Sequence, residues 1–298
     1  MANLGPGFDI FALALEGLGD VLRVELREKP GISISVRGVD AESIPRDPRV
    51  NSAGAVLRHL ARRLRLTYGF NVEIEKGIPP GKGLGSSGAS AAAAAYAALR
   101  LLGLRLPIRE LVRLAALGEE AVSGSPHADN VSASLLGGFT IVSGDYRVLR
   151  LDPPEVEITI AVPEVHYESK TKLARELLPR EVELERAVAN LAYASKMAAA
   201  AALGDARLFA ESICDRLIEP HRARMIPNFH GVKKAALEAG ALGCSIAGGG
   251  PSVFAVGGDS REVGRAMANA FKEAGVECIL YYTKPSCAGV RMLDELQV

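Results

Sequence analysis

The sequence predicts an α+β fold made of two domains. Its 298 residues allow about two domains, because one domain commonly takes about 100–200 residues. Strand and helix patterns are mixed along the chain without the regular spacing of βαβ units, which favours α+β over a doubly wound parallel sheet. The C-terminal part reads as strand, tight turn, strand, helix and strand, an order compatible with a split βαβ sandwich.

In the first half, strands are predicted where apolar and polar residues alternate or where an apolar run is flanked by turn residues, and helices where apolar residues recur at helical spacing. Strands are expected at residues 21–28, 31–37, 70–76 and 135–143. Helices are expected at 51–65, from about Ser86 to Gly103, and at 107–122. The first two strands are expected to be antiparallel neighbours joined around Pro30 and Gly31.

The second half is predicted to be richer in helices. Strands are expected at residues 155–162, 243–247, 252–256 and 276–283. Helices are expected at 170–178, 182–203, 205–217, 229–239 and 260–274. No low-complexity linker separates the halves, and we place the domain boundary so that the domains are residues 1–148 and 149–298.

Charge and composition exclude several classes of protein. Lys and Arg total 35 and Asp and Glu total 35, whereas nucleic-acid-binding proteins usually carry a basic excess. No run of about 18 apolar residues and no basic leader with an apolar core is present, so we expect neither a membrane span nor a secretory signal. The four cysteines lack metal-ligand spacing and predict reduced thiols in a cytoplasmic protein. We therefore expect no nucleic-acid or membrane partner.

The stretch PPGKGLGSSGAS at residues 79–90 predicts a phosphate-binding loop. Its glycines at 81, 83 and 85 permit a sharp turn and a close approach of the backbone to a ligand. The helix that follows points its free backbone N–H groups and its positive dipole end into the loop, an arrangement that favours a phosphate. Ser86 and Ser87 add hydroxyls that suit phosphate oxygens or Mg²⁺, and Lys82 adds a positive charge.

Two other interpretations of this loop are open. GLGSSG matches the letters of the dinucleotide-binding GxGxxG, but that site also needs a Rossmann βαβ unit and an acidic residue about 20 residues further on. Leu104, Arg105 and Leu106 stand at that distance. Without a ligand, the same stretch is a Gly-rich turn followed by a Ser-capped helix. A Walker A loop is excluded because Lys82 is not followed by Ser or Thr.

Three segments together resemble the motifs of the GHMP kinases. NLGPGFD at 3–9 resembles the first motif, the loop at 79–90 the second, and AGGGPSVFAV at 247–256 the third. The resemblance extends over the whole chain with the motifs in the right order. It implies a mixed α/β nucleotide-binding domain, a C-terminal ferredoxin-like split βαβ domain, an active site between them, and transfer of the ATP γ-phosphate to a small-molecule hydroxyl.

The resemblance also implies a substrate. HADNVSASLLGGF at 127–139 and IEPHRARMIPN at 218–228 are most similar to the family members that phosphorylate L-homoserine in threonine biosynthesis. Those members resemble one another in forming homodimers, so a homodimer is expected. Other open functions are a kinase acting on mevalonate or shikimate, a non-catalytic nucleotide-binding relative and, through GLGSSG, a dinucleotide oxidoreductase.

Residue roles follow from the resemblance position by position. Nucleotide binding is expected of Pro80, Gly81, Lys82, Gly83, Leu84, Gly85, Ser86, Ser87, Gly88, Ala89 and Ser90. Substrate binding is expected of Asn3, Asp9, His127, Asp129, Arg175, Arg222, Gly248 and Gly249. Ser87 and Glu119 are the expected Mg²⁺ ligands. Asp129, Asn130 and Thr171 are the residues expected near the reacting hydroxyl, with Asp129 assigned to binding first and to proton acceptance second.

The beginning of the chain departs from the family pattern. GHMP kinases that resemble this sequence usually carry a further strand before ANLGPGFD, whereas here Met1 directly precedes that motif. A missing strand would leave a neighbouring sheet edge unpaired. We therefore expect a version extended upstream to be more stable and more active.

Overall fold

The computed structural model describes residues 1–165, 167, 174 and 176–293. Eleven strands are present among these residues: β1 Ala2–Asn3, β2 Gly7–Leu13, β3 Val21–Arg27, β4 Ile32–Gly38, β5 Gly69–Lys76, β6 Phe139–Val142, β7 Val148–Leu151, β8 Ile158–Pro163, β9 Gly243–Ile246, β10 Val253–Val256 and β11 Cys278–Thr283. The α-helices of the described part are α1 Ser52–Arg63, α2 Ser86–Leu101, α3 Ile108–Ser123, α4 Ala128–Leu136, α5 Leu184–Leu203, α6 Ala206–Glu211, α7 Glu219–Arg222, α8 Phe229–Glu238 and α9 Ser260–Glu273. None of the helices in this part of the chain is long and apolar enough to cross a membrane.

The first half contains two sheets, with strand orders β1-β2-β6-β7 and β3-β5-β4. The expected neighbour relation of the strands 21–28 and 31–37 is wrong, because β5 lies between β3 and β4. It pairs antiparallel with β3 and parallel with β4. The central position suits β5, which buries Phe70, Val72 and Ile74 against the helices α1, α2 and α3. The two outer strands are more exposed.

The segment predicted as a strand over 135–143 is divided between a helix and a strand. Residues 128–136 form α4, and only 139–142 form the strand β6. Gly137 and Gly138 separate them, both with positive φ, a conformation that ends helices and that glycine adopts without strain. The polar sequence HADN at 127–130 therefore lies at the beginning of a helix.

The second half has the predicted split βαβ arrangement. Its sheet has the order β11-β8-β10-β9, and every neighbouring pair is antiparallel. Numbered within this half, that order is 4-1-3-2, in which each of two βαβ units has a strand of the other inserted between its strands. The helices α8 and α9 cover one face through a core that includes Phe229, Val232 and Phe271. The predicted helix 205–217 stops at Glu211, and the predicted helix 170–178 falls largely outside the described residues.

The two halves share a hydrophobic core. It joins β2 and β6 of the first half to β8, β10, α5 and α6 of the second. Phe139 stands at its centre, with its ring edge-on to Phe11 at 5.0 Å and to Phe209 at 5.5 Å between centroids. The predicted division at residues 148 and 149 falls at the start of β7, a strand of the first sheet, and it stays a prediction.

Candidate active site

The three motifs meet at the junction of the two halves. The Gly248 N–H donates to the carbonyl of Ala2, and the Asn3 side chain donates to the carbonyl of Gly248 at 2.9 Å. The Ser252 N–H donates to the carbonyl of Lys82. Segments separated by more than 150 residues in sequence are therefore joined into one site by backbone hydrogen bonds and by the Asn3 side chain.

Gly83 shows how closely the second and third motifs approach each other. Its φ is +87°, and a Cβ built there would lie 2.2 Å from the carbonyl oxygen of Ala247. A side chain at this position would force the two loops apart, because real Cβ atoms do not approach an oxygen that closely. Gly83 is thus required both for its backbone conformation and for the contact.

The loop at 79–90 leads into α2 as predicted. Gly85 caps the helix in a left-handed conformation, and α2 begins at Ser86, so the free N–H groups of its first turn face the loop. The Ser86 hydroxyl donates to the carbonyl of Ile78, which turns it inward, whereas Ser87 is partly exposed. The Lys82 ammonium donates to the carbonyl of Val165 at 3.1 Å.

A buried ion pair supports the loop from below. The Lys76 ammonium bonds the Asp20 carboxylate and donates to the carbonyl of Ser86 at 3.0 Å. Asp20 also accepts from the Ser90 hydroxyl and from the N–H of Gly77. The Ser90 hydroxyl, expected at the nucleotide, is therefore bonded beneath the loop. An Asp and a Lys 56 residues apart carry no local signal, so this pair could not be predicted from the sequence pattern.

Ser87 and Glu119 are close together. The Ser87 hydroxyl hydrogen-bonds the Glu119 carboxylate, and burial raises the pKa of Glu119 to about 7. Atom Oε1 of Glu119 is buried and has no hydrogen-bond partner among the described residues. A buried carboxylate oxygen of this kind beside a hydroxyl suits a hard cation, and Mg²⁺ is commonly held by one or two carboxylates together with substrate phosphates. The residues present therefore fit the expected metal. No group of three or more His, Cys, Asp or Glu side chains that would hold a metal by itself is found in the described chain.

A cavity of about 440 Å³ opens beside these loops. It is lined by Phe8, Asp9, Ser125, Pro126, His127, Ala128, Asp129, Val142, Ser143, Gly144, Tyr146, Leu178 and Arg222. Asp9, His127 and Asp129 come from the first motif and the start of α4, and Arg222 comes from the end of α7. A larger open groove of about 540 Å³ lies along α1 and α3 and has no lining residue from the three motifs.

The acidic part of the cavity is built from three titratable side chains. His127 Nδ1 lies 3.6 Å from Asp9 Oδ1, and its interaction with the Asp9 carboxylate raises the pKa of His127. Burial and then the charge of Asp9 raise the pKa of Asp129 to about 6. The Asn130 N–H donates to Asp129 Oδ1 at 2.7 Å and fixes its orientation. This part of the cavity attracts a cation, which would relieve the cost of holding two carboxylates together.

Arg222 is held in place from several directions. Its Nη1 donates to the carbonyl of Gly248 at 3.2 Å, and its guanidinium lies 5.0 Å from the centre of the Phe8 ring. At the other end of the same short helix, the buried Glu219 carboxylate bonds both Lys233 on α8 and Ser245 on β9. Arg222 is therefore a buried, oriented cation. Glu219 and Lys233, which no sequence motif predicted, anchor the short helix that carries Arg222.

Of the remaining expected residues, two lie in the described part of the chain and two do not. Asn130 lies at the first turn of α4, and its Oδ1 would be 2.6 Å from a Cβ at Gly85, so α4 packs directly on the loop. Gly249 has open space where a side chain would be. Thr171 and Arg175 lie outside the described residues.

A ferredoxin-like half joined to a half with a phosphate loop at a helix N-terminus places the protein in a class of small-molecule kinases. Comparison with family models gives the same class. The model described as GHMP kinases N terminal domain matches residues 51–138, and the model described as GHMP kinases C terminal matches residues 197–276. The chain belongs to the GHMP kinase family, and the predicted fold is confirmed.

Several individual relatives of this chain within the GHMP kinase family are homoserine kinases. The chain is 42% identical to the homoserine kinase of Pyrococcus abyssi over 95% of this chain and 94% of that protein. It is 40% identical to the homoserine kinase of Methanococcus maripaludis over 96% and 94%. A crystal structure of homoserine kinase from Cytophaga hutchinsonii superposes with a TM-score of 0.88 at 36% identity, covering 97% of this chain and 93% of that one. A mevalonate kinase structure from L. major, 17% identical with a TM-score of 0.68, shares the fold.

Proposed function

We propose that this protein transfers the γ-phosphate of ATP to the side-chain hydroxyl of L-homoserine, giving O-phospho-L-homoserine in threonine biosynthesis. The observation that carries the proposal is the polarity of the cavity, which has the carboxylates of Asp9 and Asp129 in its lining together with the buried guanidinium of Arg222. Homoserine is a zwitterion and needs both signs of charge. The kinship to proteins named homoserine kinase supports the same substrate.

Each end of the substrate has a proposed partner. The carboxylate is bound by Arg222, whose guanidinium donates in the fork geometry that carboxylates prefer. The ammonium is bound by Asp129 and Asp9, with His127 oriented by Asp9. The Asn3 side chain donates to the carbonyl of Gly248, which also accepts from Arg222, so this bond supports the substrate site from behind. Arg175 and Thr171 are retained from the resemblance as a second carboxylate partner and as a neighbour of the hydroxyl.

The nucleotide is proposed to bind along the loop 80–90. The backbone N–H groups at the start of α2 cradle the phosphates, since a helix N-terminus favours anions. Ser87 and Glu119 would hold Mg²⁺, which when bound neutralises phosphate charge during the transfer. The loop's support by Lys76 and Asp20 keeps those N–H groups in a fixed place.

In the proposed reaction the homoserine hydroxyl oxygen forms a bond to the γ-phosphorus, and the bond from that phosphorus to the β–γ bridging oxygen breaks, releasing ADP. Such transition states are loose, so positioning and charge neutralisation supply most of the rate. Arg222 and Asp129 position the substrate, and Asn130 lies at the edge of the loop. The hydroxyl proton goes to Asp129 or to solvent, so the site requires no strong base.

The acceptor can be identified by coupled ADP release over a panel of hydroxyl compounds. We expect L-homoserine to be turned over with a kcat/KM far above those for mevalonate and shikimate, because neither of these carries an ammonium group for Asp129. The matched comparison is 4-hydroxybutyrate, which keeps the carboxylate and hydroxyl but lacks the amine. Equal turnover of homoserine and 4-hydroxybutyrate, or a preference for mevalonate, would overturn the substrate assignment. ATP binding without turnover of any acceptor would revive the non-catalytic alternative.

Two further expectations belong to the same proposal. We propose that the active form is a homodimer and that the protein works in the cytoplasm. The free cysteines Cys214, Cys244, Cys278 and Cys287 support the compartment, because unpaired thiols persist where the environment is reducing.

A further inference from the structure

The turn between β6 and β7 contains a tyrosine in an unusual backbone conformation. Residues 144–146 form a hairpin loop that two hydrogen bonds close, from the Ser143 N–H to the carbonyl of Arg147 and from the Tyr146 N–H to the carbonyl of Ser143. In hairpin loops of three residues the last one commonly adopts the left-handed conformation, for which glycine is preferred. Here that residue is Tyr146, with a φ of +64°.

The glycine of this loop lies at another position. Gly144 is the first loop residue, and its φ is not positive. The left-handed conformation is unfavourable for a bulky residue, because its Cβ comes too close to the following carbonyl oxygen. Such residues persist where the surrounding structure holds them, and they cluster at functional sites. The conformation of Tyr146 therefore calls for a functional explanation.

The surrounding structure holds this turn in a defined position. Arg109 on α3 donates from Nε to the carbonyl of Asp145 at 2.7 Å, and the Ser143 hydroxyl bonds the Asp145 carboxylate. Tyr146 itself is half-buried and packs against the hydrophobic core of the first half. The strained conformation is thus supported both from α3 and from the core.

The turn forms part of the wall of the substrate cavity. Tyr146 lines the cavity of about 440 Å³ together with its neighbours Val142, Ser143 and Gly144. None of these four residues carries a charge. This part of the wall therefore suits the uncharged part of a substrate, which in homoserine is its methylene groups.

The charged groups of the cavity cannot measure the length of an acceptor. In the proposed function Asp9, Asp129 and Arg222 bind an ammonium and a carboxylate, which all α-amino acids share. The longer homologue 5-hydroxy-L-norvaline differs from homoserine by a single methylene, and a pocket distinguishes such homologues through its apolar walls. Cavities of roughly 300–1,000 Å³ accept drug-sized ligands, so a cavity of about 440 Å³ needs a bulky wall residue to select a small acceptor.

We propose that Tyr146 is a specificity-determining residue whose ring forms the wall that limits the length of the acceptor. The left-handed backbone conformation places this ring at a loop position where glycine would leave the cavity more open. The ring excludes hydroxy amino acids with one more methylene and shields the methylenes of homoserine from water. The inference rests on the proposed function, because it concerns the acceptor in the same cavity.

The selectivity between two acceptors measures this role. Coupled ADP release by the whole chain gives kcat/KM for L-homoserine and for 5-hydroxy-L-norvaline, and the ratio of the two values is compared among variants. The natural protein should prefer homoserine at least about tenfold, as one methylene allows. Tyr146→Gly should reduce the preference to about twofold or less, chiefly by raising kcat/KM for the longer acceptor, with the KM for ATP unchanged.

Two small replacements are used because both suit the backbone of the turn. Glycine is the residue that such loops prefer at this position, and Asn also adopts the left-handed conformation, so Tyr146→Asn should behave as Tyr146→Gly does. Tyr146→Phe keeps the ring and should keep the natural preference. Leu149→Ala removes an exposed side chain of β7 that does not line the cavity, and it should also keep that preference.

The outcomes separate this role from the proposed function. A natural protein that turns over both acceptors equally well would overturn the role of Tyr146 and leave the kinase activity in place. An unchanged preference in Tyr146→Gly and Tyr146→Asn, or an equal loss of kcat/KM for both acceptors, would do the same. A Tyr146→Phe protein as unselective as Tyr146→Gly would overturn the ring as the wall. A natural protein that does not phosphorylate homoserine would overturn the proposed function and this inference with it.

Discussion

Replacing Asp129 by Asn should stabilise the protein at neutral pH while weakening the binding of homoserine. Asp129 is 2% exposed, and burial together with Asp9 raises its pKa from 3.8 to about 6. The folded chain therefore holds a proton at pH values where the unfolded chain has released it. The contribution of Asp129 to the free energy of unfolding is therefore highest below about pH 4. It falls as the pH rises towards 6, and it stays low above pH 6.

The expected gain in stability follows from the size of the pKa shift of Asp129. About two pKa units at 1.36 kcal/mol each give roughly 3 kcal/mol of stability lost above pH 6. The asparagine keeps Oδ1 as acceptor for the Asn130 N–H, and its neutral amide carries no charge that burial would penalise. At about 2 °C per kcal/mol for a chain of this size, the melting temperature at pH 8 should rise by about 6 °C.

The assay is thermal unfolding of both proteins between pH 4 and pH 8. The melting temperature of Asp129→Asn should equal that of the natural protein at pH 4 and exceed it by the full amount at pH 8. A variant that melts at or below the natural protein at pH 8, or that gains equally at both pH values, would refute the electrostatic reasoning. Asp152→Asn is the control, since the Asp152 side chain is 76% exposed and no burial cost is relieved. The KM for homoserine of Asp129→Asn should rise at least tenfold, about 1.4 kcal/mol, with the KM for ATP nearly unchanged.

Three more substitutions test other parts of the site. Arg222→Lys keeps the charge but loses the forked donors and the contact with Phe8, so the KM for homoserine should rise about tenfold with the KM for ATP unchanged; equal changes in both would argue against a carboxylate clamp. Gly83→Ala should raise the KM for ATP and lower the melting temperature more than Gly81→Ala, because both have positive φ but only Gly83 would strike the third motif. Glu219→Gln leaves Lys233 without its ion-pair partner and should raise the KM for homoserine; kinetics identical to the natural protein would remove Glu219 as an anchor of Arg222.

Local sequence patterns predicted the elements whose signals are local. The helix expected at 51–65 is observed at 52–63, and that expected at 107–122 is observed at 108–123. Both carry an apolar face at helical spacing. The start of α4 had the same signal, in Ala128, Val131 and Leu135, but the apolar run that follows favoured a strand. Such short apolar runs are ambiguous by periodicity alone.

Pairing and support could not be predicted because they depend on residues distant in sequence. The insertion of β5 between β3 and β4 is set by the burial of its side chains under three helices and not by any turn residue between the outer strands. Glu219 reaches partners 14 and 26 residues away. The motif resemblance indicated which residues surround the ligand, but it carried no information on what holds them there.

The cavity illustrates why a site for a zwitterion costs stability. Asp129 is buried beside the charge of Asp9, and the guanidinium of Arg222 is buried beside a carbonyl and an aromatic ring. Both buried groups are poorly solvated before substrate binds, so an incoming ammonium or carboxylate replaces few strong water contacts on the protein side. The charges also stand apart within one cavity, and a substrate with both charges can neutralise them together. A chain of zero net charge can therefore select a charged metabolite, because recognition depends on local desolvated groups rather than on the field of the whole molecule.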